Sequence, residues 1–277
     1  MTFSDTDFEF LMATVAEAAA REILPRFRNL GVGDISEKTS AVDPVTEADL
    51  LAERHITAAL KARFPGALVV GEEAYEADRS VVPALADADL AFVIDPVDGT
   101  LNFASGLPAF GTILAVVAKG ETIAGIIHDP VLGDTVTAMR GAGTYERRRG
   151  GQVSRLTVAP AVPLSEMVGS ISWSYMDEPD RSRVSANMAK VRMPRSLNCS
   201  AYEYWLVASG KIHFNGHPKL MPWDHLAGVL VHQEAGGFTA KFDGTPTPYR
   251  PGETTGGIIS APDEESWRII RREIIGG

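Results

Sequence analysis

The pattern of hydrophobic and polar positions predicts two amphipathic helices at the start of the chain. The first follows Ser4 and Asp7, which have the spacing of a capping box, and it ends or kinks at Pro25. The second follows Thr46 and Asp49, which have the same spacing. Apolar residues fall along one face of each predicted helix: Phe8, Leu11, Val15, Ala18 and Ala19 in the first, and Leu51, Ile56, Ala59, Leu60 and Phe64 in the second.

Apolar runs predict strands in much of the remaining chain. Residues 67–70 and 90–94 have the composition of buried strands, and residues 112–118 and 122–127 flank a turn that predicts a hairpin. In the second half, predicted helices at 201–209, 223–235 and 262–274 alternate with strands such as 257–260. Ser200 and Glu203 have the spacing of a capping box for the first of these helices. The pattern therefore predicts an α+β first half with an antiparallel sheet, residues 1–150, and an α/β second half, residues 151–277.

Composition narrows the possible partners. The 277 residues include 26 Lys and Arg against 36 Asp and Glu, so the net charge of −10 argues against nucleic acid or an anionic membrane as a partner. Cys199 is the single cysteine, which excludes an internal disulfide and a multi-cysteine zinc site. No apolar run approaches the ~18 residues of a membrane helix, and the acidic N-terminus lacks the features of a signal peptide. We therefore expect a soluble, cytoplasmic protein.

The strongest chemical signal is the segment 95–100, with the sequence DPVDGT. A fully apolar predicted strand delivers Asp95 and Asp98 at its C-terminal end, where ligands bind in α/β layers. Gly99 permits a tight turn, and the amides of Gly99 and Thr100 are then available to an anion. The alternative interpretation is that Asp-Pro and Asp-Gly are simply turn dipeptides.

Three further acids lie where the chain changes direction, and each has an alternative structural role. Glu72 follows a strand and is otherwise a solvated loop acid. Asp224 opens a helix and is otherwise an N-cap, whereas Asp49 is otherwise the third residue of its capping box. If these carboxylates converge, cations must hold them together, and hard oxygen ligands favour Mg²⁺ or Mn²⁺. The chain has no P-loop, no nucleophile elbow, no zinc-protease motif and no dinucleotide-binding glycine motif.

Several of these motifs, taken together and in order, resemble the inositol monophosphatase family. They are the segment 45–49 (VTEAD), the Glu72-Glu73 pair, the segment 95–103 (DPVDGTLNF), the Trp223-Asp224 pair and the segment 234–237 (EAGG). The similarity covers roughly residues 38–261, and the combination is far more specific than any one motif. It implies the layered αβαβα fold of the sugar-phosphatase superfamily, and Mg²⁺-dependent hydrolysis of a phosphate monoester.

The resemblance also assigns roles to individual residues. Glu72, Asp95 and the Val97 carbonyl would bind one Mg²⁺, and Asp95, Asp98 and Asp224 a second, with a third ion beside Glu72 in some relatives. Thr100 and Asp49, with Glu72, would orient and deprotonate the attacking water, and the amides of Gly99 and Thr100 would hold the phosphate. Lys38 matches a lysine near the metal site. The residues expected to contact the alcohol part of the substrate are Ser174, Asn198, Cys199, Ser200 and His217.

The chain departs from its animal relatives in the alcohol pocket. His217 occupies the position of a glutamate that binds sugar hydroxyls in those relatives. The alternative interpretation of His217 is a loop histidine without a role in binding. Asn198 stands where a glycine is usual. The best guess for the substrate is myo-inositol 1-phosphate, and histidinol phosphate is the main alternative. Fructose 1,6-bisphosphate and adenosine 3′,5′-bisphosphate are less favoured. Relatives that act on the adenosine compound usually carry a lysine where Leu101 stands. The non-enzyme alternative is a silent metal-binding regulatory protein. The resemblance further implies lithium sensitivity and a homodimer.

Overall fold

The computed structural model describes residues 3–31, 35–37, 44–75, 78–242 and 247–276. Lys38 lies outside these ranges. Within them, no helix combines the length and the apolar character needed to cross a membrane.

Two capped helices form the first layer. Helix α1 (Asp5–Ala18) begins after Ser4 and helix α2 (Glu47–Arg63) after Thr46, and both predicted capping boxes are present. The chain after α1 continues through a π-helical turn (Ala19–Ile23) and a 3-10 turn (Leu24–Arg26), which contains Pro25. Proline lacks the amide that a continuing helix needs, so the predicted end of this helix is confirmed.

The first half also contains a two-stranded ribbon and a seven-stranded sheet. The ribbon pairs β1 (Ile35–Glu37) with β2 (Pro44–Thr46). The strands of the large sheet follow one another in chain order: β3 (Leu68–Gly71), β4 (Ala91–Asp98), β5 (Gly111–Ala118), β6 (Glu121–Asp129), β7 (Asp134–Met139), β8 (Gly143–Arg147) and β9 (Val153–Arg155). The sheet is antiparallel, as predicted, except that β3 and β4 run parallel. Two short helices, α3 (Glu72–Tyr75) and α4 (Thr100–Ala104), follow directly after β3 and almost directly after β4.

The second half alternates strands and helices around a five-stranded mixed sheet. Its elements are β10 (Val168–Ile171), α5 (Asp180–Asn187), β11 (Met193–Arg195), α6 (Ser200–Ala208), β12 (Phe214–His217), α7 (Pro222–Glu234), β13 (Phe238–Lys241), β14 (Ile258–Ala261) and α8 (Glu264–Ile270). The strand order is β11-β10-β12-β14-β13, with parallel pairing around β10 and antiparallel pairing around β14. A final π-helical turn (Arg271–Ile275) extends α8.

Burial shows how these elements stack in five layers. Helices α1 and α2 pack on one face of the large sheet, where Leu11 and Ile56 join Phe92 in a buried cluster. Helices α6 and α7 fill the space between the two sheets, and their cluster includes side chains from both. Helices α5 and α8 cover the outer face of the second sheet, where Val184 and Trp267 are buried. The expected layered αβαβα fold is confirmed, and the boundary near residue 150 stays a prediction.

Candidate active site

Strand β4, an inner strand of the large sheet, carries two carboxylates near its C-terminal end. The strand runs beyond its predicted end to Asp98, and its pairing with β5 shifts register between Asp95 and Asp98. Pro96 cannot donate a ladder hydrogen bond, and a bulge is where a sheet tolerates such a residue. Both aspartates are buried, and Asp95 is only 1% exposed.

Helix α7 brings a third carboxylate to the same place. Asp224 is the third residue of α7, whose N-cap is Met221, so the N-cap interpretation of Asp224 is wrong. Asp95, Asp98 and Asp224 each offer an oxygen atom, and these atoms lie within 4.8 Å of one another. The negative charge of Glu72, the first residue of α3, also acts on Asp95 and raises its pKa. Acids that are far apart in the sequence are thus brought together in the fold.

This clustering of carboxylates has an electrostatic cost. Burial, followed by the charges of Glu72, Asp98 and Asp224, raises the pKa of Asp95 well above its usual range. Burial and the charge of Asp224 raise the pKa of Asp98 to about 7. Among the described residues, Oδ1 of Asp95 has no hydrogen-bond partner although it is buried. Several carboxylate oxygens that converge on one point, one of them unpartnered, fit a hard divalent cation such as Mg²⁺.

Asp98 is held by the N-terminal end of α6. Its carboxylate accepts hydrogen bonds from the amides of Ser200 at 3.1 Å and Ala201 at 2.6 Å, and the Cys199 thiol lies 3.0 Å from Oδ2. The predicted capping box between Ser200 and Glu203 is therefore wrong, because the free amides of α6 are satisfied by an acid from β4. Cys199 is buried, and burial together with Asp98 raises the pKa of its thiol, as is typical of a structural cysteine rather than a reactive one.

Asp49 is the acid of its capping box, as one interpretation predicted, and it also contacts Thr100. Its Oδ2 accepts from the amide of Thr46 at 2.9 Å and from its hydroxyl at 2.5 Å, as a capping-box acid does. Its Oδ1 lies 3.2 Å from Oγ1 of Thr100, which also lies 2.9 Å from the Val97 carbonyl. The cap of α2 thus orients a fully buried carboxylate toward the hydroxyl of Thr100.

Gly99 allows the chain to turn from β4 into α4. Its φ of +86° lies in the left-handed region, which costs residues with a side chain. A Cβ atom at this position would lie 2.9 Å from the Ala109 carbonyl oxygen and 3.2 Å from Cβ of Cys199. Glycine is therefore required both for the backbone conformation and for the close approach of these neighbours.

The carboxylates open onto a cavity of about 540 Å³. Most of the residues predicted from the sequence line this cavity: Glu72, Asp95, Val97, Asp98, Gly99, Thr100, Asn198, Cys199, Ser200, His217 and Asp224. Asn198 has a φ of +49°, which explains how asparagine can replace the usual glycine there. Asp49 is buried behind Thr100 and does not itself line the cavity. Ser174 is exposed on a 3-10 turn and does not line it either, whereas Ser172 and Tyr175 of the same segment do.

The acid on α6 is a lining residue that the sequence analysis missed. Glu203 was expected to cap a helix, but its side chain lines the cavity and is only 3% exposed. His217 ends strand β12 rather than lying in a loop, and its Nε2 is 3.6 Å from Oε2 of Glu203. The one available signal was helical spacing from Ser200, a predicted substrate contact, because this spacing places Glu203 on the next turn of α6.

Comparison with known proteins gives this geometry a context. The family model described as "Inositol monophosphatase family" matches residues 5–273. The chain is 32% identical over 213 residues to "Fructose-1,6-bisphosphatase/inositol-1-monophosphatase" of Thermotoga maritima, covering 77% of each chain. It is 30% identical over 234 residues to "Histidinol-phosphatase" of Chlorobaculum parvum, covering 84% of this chain and 85% of that one.

A solved structure agrees over nearly the whole chain. The extragenic suppressor protein suhB from Bartonella henselae superposes with a TM-score of 0.79 at 27% identity, covering 98% of this chain and 99% of that one. The acidic cluster, the layered fold and the match from residue 5 to residue 273 lead to the same conclusion. The chain belongs to the inositol monophosphatase family, whose members are phosphoric monoester hydrolases.

Proposed function

We propose that this protein hydrolyses the phosphate monoester of a small polyol in a Mg²⁺-dependent reaction, with myo-inositol 1-phosphate as the best candidate substrate. The observation that carries the proposal is the cluster of Asp95, Asp98 and Asp224 at the wall of the cavity. The acidic lining would repel a phosphate unless bound cations reversed the local charge. A silent metal-binding protein would not need Thr100 and Asp49 arranged beside this cluster.

The chain offers ligands for two cations. Glu72, Asp95 and the Val97 carbonyl would hold one ion, and Asp95, Asp98 and Asp224 would hold a second, with a third beside Glu72 in some relatives. Bound Mg²⁺ would supply positive charge to the phosphate and make the attacking water more acidic. Mn²⁺ prefers similar oxygen ligands and is the expected substitute.

The remaining residues position the reactants and move the proton. Glu72 and Thr100 line the cavity and orient the attacking water toward phosphorus. The water gives its proton to Oγ1 of Thr100 while that hydroxyl donates its own proton to Oδ1 of Asp49, 3.2 Å away. The amides of Gly99 and Thr100 hold the phosphate oxygens, and the ester P–O bond breaks as the new bond between phosphorus and the water oxygen forms. The departing alkoxide takes a proton from solvent and Asp49 returns its proton to solvent, so that the products are the alcohol and inorganic phosphate.

Histidinol phosphate is the second candidate substrate, supported by the similarity to the Chlorobaculum parvum protein. The deciding experiment measures phosphate release from the phosphates of inositol, histidinol and fructose and from adenosine 3′,5′-bisphosphate, with Mg²⁺ and with a chelator. We expect Mg²⁺-dependent turnover and the highest kcat/KM for inositol phosphate. A higher value for histidinol phosphate would favour the second candidate, and no Mg²⁺-dependent release from any of them would overturn the proposal.

Lithium provides a further test of the second cation site. Li⁺ carries half the charge of Mg²⁺, so Li⁺ held by Asp95, Asp98 and Asp224 would support the leaving oxygen less well. We expect inhibition by LiCl that is not competitive with substrate, measured at constant ionic strength with NaCl as the control. Equal effects of the two salts would contradict an exchangeable site.

We further propose a cytoplasmic homodimer, for which light scattering should give twice the mass of the chain.

A further inference from the structure

The cavity contains a second acidic group, separate from the metal-binding cluster. Glu203 projects from α6 and faces His217 at the end of β12, with 3.6 Å between Oε2 and Nε2. That distance is just outside hydrogen-bonding range, and neither atom has a hydrogen-bond partner among the described residues. Both side chains are more than nine-tenths buried, yet both line the cavity. Unpartnered buried polar atoms on side chains that line a cavity lack hydrogen bonds that a bound molecule could supply.

The imidazole ring of His217 is fixed by its neighbours. It stacks on Tyr204 with 5.5 Å between ring centroids and packs against His225 at 4.7 Å. Its Nδ1 lies 3.4 Å from the hydroxyl of Ser172, which also lines the cavity. One ring nitrogen therefore faces a carboxylate and the other faces a hydroxyl, so an ionised Glu203 would favour the tautomer that carries its proton on Nε2.

We propose that Glu203 and His217 bind the alcohol part of the substrate, and that Glu203 determines specificity by selecting alcohols that carry a hydrogen-bond donor, a hydroxyl or an ammonium group. This inference rests on the proposed phosphatase function and identifies the substrate class of the same cavity. In the animal relatives the acid of the alcohol pocket stands at the position of His217, on the strand. In this chain the acid would instead be Glu203 on α6, fourteen positions earlier.

Glu203 and His217 favour a bound alcohol that donates hydrogen bonds. An ionised carboxylate accepts hydrogen bonds and donates none, and an imidazole with its proton on Nε2 leaves the Ser172 hydroxyl to donate to Nδ1. Burial raises the pKa of Glu203 to about 7, although the Leu197 amide that it accepts from at 3.4 Å and the Ser170 hydroxyl act in the opposite direction. Burial also keeps the pKa of His217 well below its usual range, so the ring is neutral. A substrate donor that reaches Oε2 would supply the partner that the buried oxygen lacks.

The test compares Glu203→Gln with wild type on two substrates. One is myo-inositol 1-phosphate, which carries hydroxyls, and the other is phenyl phosphate, whose alcohol part carries no donor. We expect the variant to lower kcat/KM for inositol phosphate about 10- to 100-fold more than for phenyl phosphate, mainly through KM. Glu203→Asp keeps a carboxylate and should retain part of the preference. A phosphorylated amino alcohol serves as a third substrate. If Glu203→Gln lowers kcat/KM more for this substrate than for inositol phosphate, ammonium is the preferred donor.

The matched control is Glu166→Gln, which removes one exposed carboxylate outside the cavity and should leave the substrate ratio unchanged. Circular dichroism establishes that each variant is folded. If Glu203→Gln lowers kcat/KM equally for both substrates, or changes neither value, the specificity role is overturned while the phosphatase function stands. If wild type hydrolyses neither substrate with Mg²⁺, the proposed function itself fails.

Discussion

Asp95 is the residue at which folding and the proposed chemistry conflict most directly. It is nearly inaccessible, one oxygen has no partner among the described residues, and three other acids raise its pKa. A buried carboxylate in such surroundings destabilises the protein unless a proton or a cation neutralises it. Retaining an acid there therefore makes sense for binding a cation and not for packing.

Replacing Asp95 with asparagine separates these two effects. We expect Asp95→Asn to lower Mg²⁺-dependent activity by about 100-fold or more, since loss of even an outer partner of a metal site commonly costs 10- to 100-fold. The metal-free variant should melt no lower than metal-free wild type, because the repulsion from Glu72, Asp98 and Asp224 is reduced. Phosphate release and thermal melting with and without Mg²⁺ measure both outcomes. Near-normal activity would contradict the metal role, and loss of folding would indicate a structural one.

At this scale the sequence motifs predicted the clustered acids better than the rest of the cavity lining. Asp95, Asp98 and Asp224 follow from motifs in which a strand or helix end fixes the position of each acid. Glu203 and His217 come from different elements, and their meeting depends on how α6 packs beside β12. Ser174 shows the same limit, because a single 3-10 turn turns it outward and brings Ser172 and Tyr175 to the cavity instead.

Among the secondary-structure elements, α1 and α2 begin with the same motif but differ in what the motif supports. In α1, Ser4 bonds Asp7, which pairs with Arg63. In α2, Thr46 bonds Asp49, whose other oxygen faces Thr100 in the candidate site. Two capping boxes in one chain thus allow a stability effect to be distinguished from a catalytic one.

We expect Thr46→Ala to destabilise the protein by about 1 kcal/mol, the usual cost of losing an N-cap hydroxyl. It should also lower kcat by roughly 10-fold, because Asp49 loses the 2.5 Å hydrogen bond that orients it. Denaturant unfolding and steady-state kinetics measure the two effects, and Thr46→Ser should restore both.

Ser4→Ala is the matched control for Thr46→Ala. It removes the equivalent hydroxyl from α1 and should reduce stability while leaving kcat unchanged, because Asp7 has no contact with the cavity residues in the described structure. Equal losses of kcat in the two variants would mean that general destabilisation, rather than the orientation of Asp49, explains the effect.

The elements also show where local patterns stop being informative. Capping boxes, a proline stop and a hairpin turn are encoded within a few residues, and those predictions are confirmed at Ser4, Thr46, Pro25 and residues 119–121. The predicted cap of α6 is wrong because its amides bind Asp98, about a hundred positions earlier. The end of β4 was placed too early, since the pairing partner that extends it lies on β5.

On the scale of the whole molecule, the candidate site is assembled from separate layers. Strand β4 of the large sheet supplies two aspartates, α7 of the central layer supplies Asp224, and α6 of the same layer supplies Glu203. No local pattern determines this stacking, so the layered fold was predicted from the family resemblance and not from periodicity. The central helices carry much of the cavity wall, which couples the binding of cations to the stability of the molecule.

That coupling predicts how stabilisation by Mg²⁺ depends on pH. In the metal-free protein the pKa of Asp98 is raised to about 7 and that of Asp95 well above its usual range, so the folded state keeps protons that the unfolded chain releases near pH 4. The contribution of these groups to stability therefore falls as pH rises from about 4 to about 7. Mg²⁺ binds only the ionised carboxylates, so its binding releases their protons and offsets the stability that the metal-free protein loses as pH rises. For each proton released, the stabilisation by Mg²⁺ should increase by as much as about 1.4 kcal/mol per pH unit.

The buried histidines act in the opposite direction but drop out of the comparison. Burial lowers the pKa of His128 and His225 to about 4 and that of His232 to about 3, so the unfolded chain binds protons below pH 6.5 that the folded protein does not. The histidine contribution therefore lowers the stability of both forms equally on acidification, and the difference between the two forms isolates the carboxylates. We expect the Tm of Mg²⁺-loaded protein minus that of metal-depleted protein to widen by several degrees from pH 5 to pH 7, at about 2–4 °C per kcal/mol. Differential scanning calorimetry at constant ionic strength measures it, with NaCl replacing MgCl₂ as the control. In Asp95→Asn the widening should be smaller, and a difference that is constant with pH in wild type would contradict proton release from this cluster.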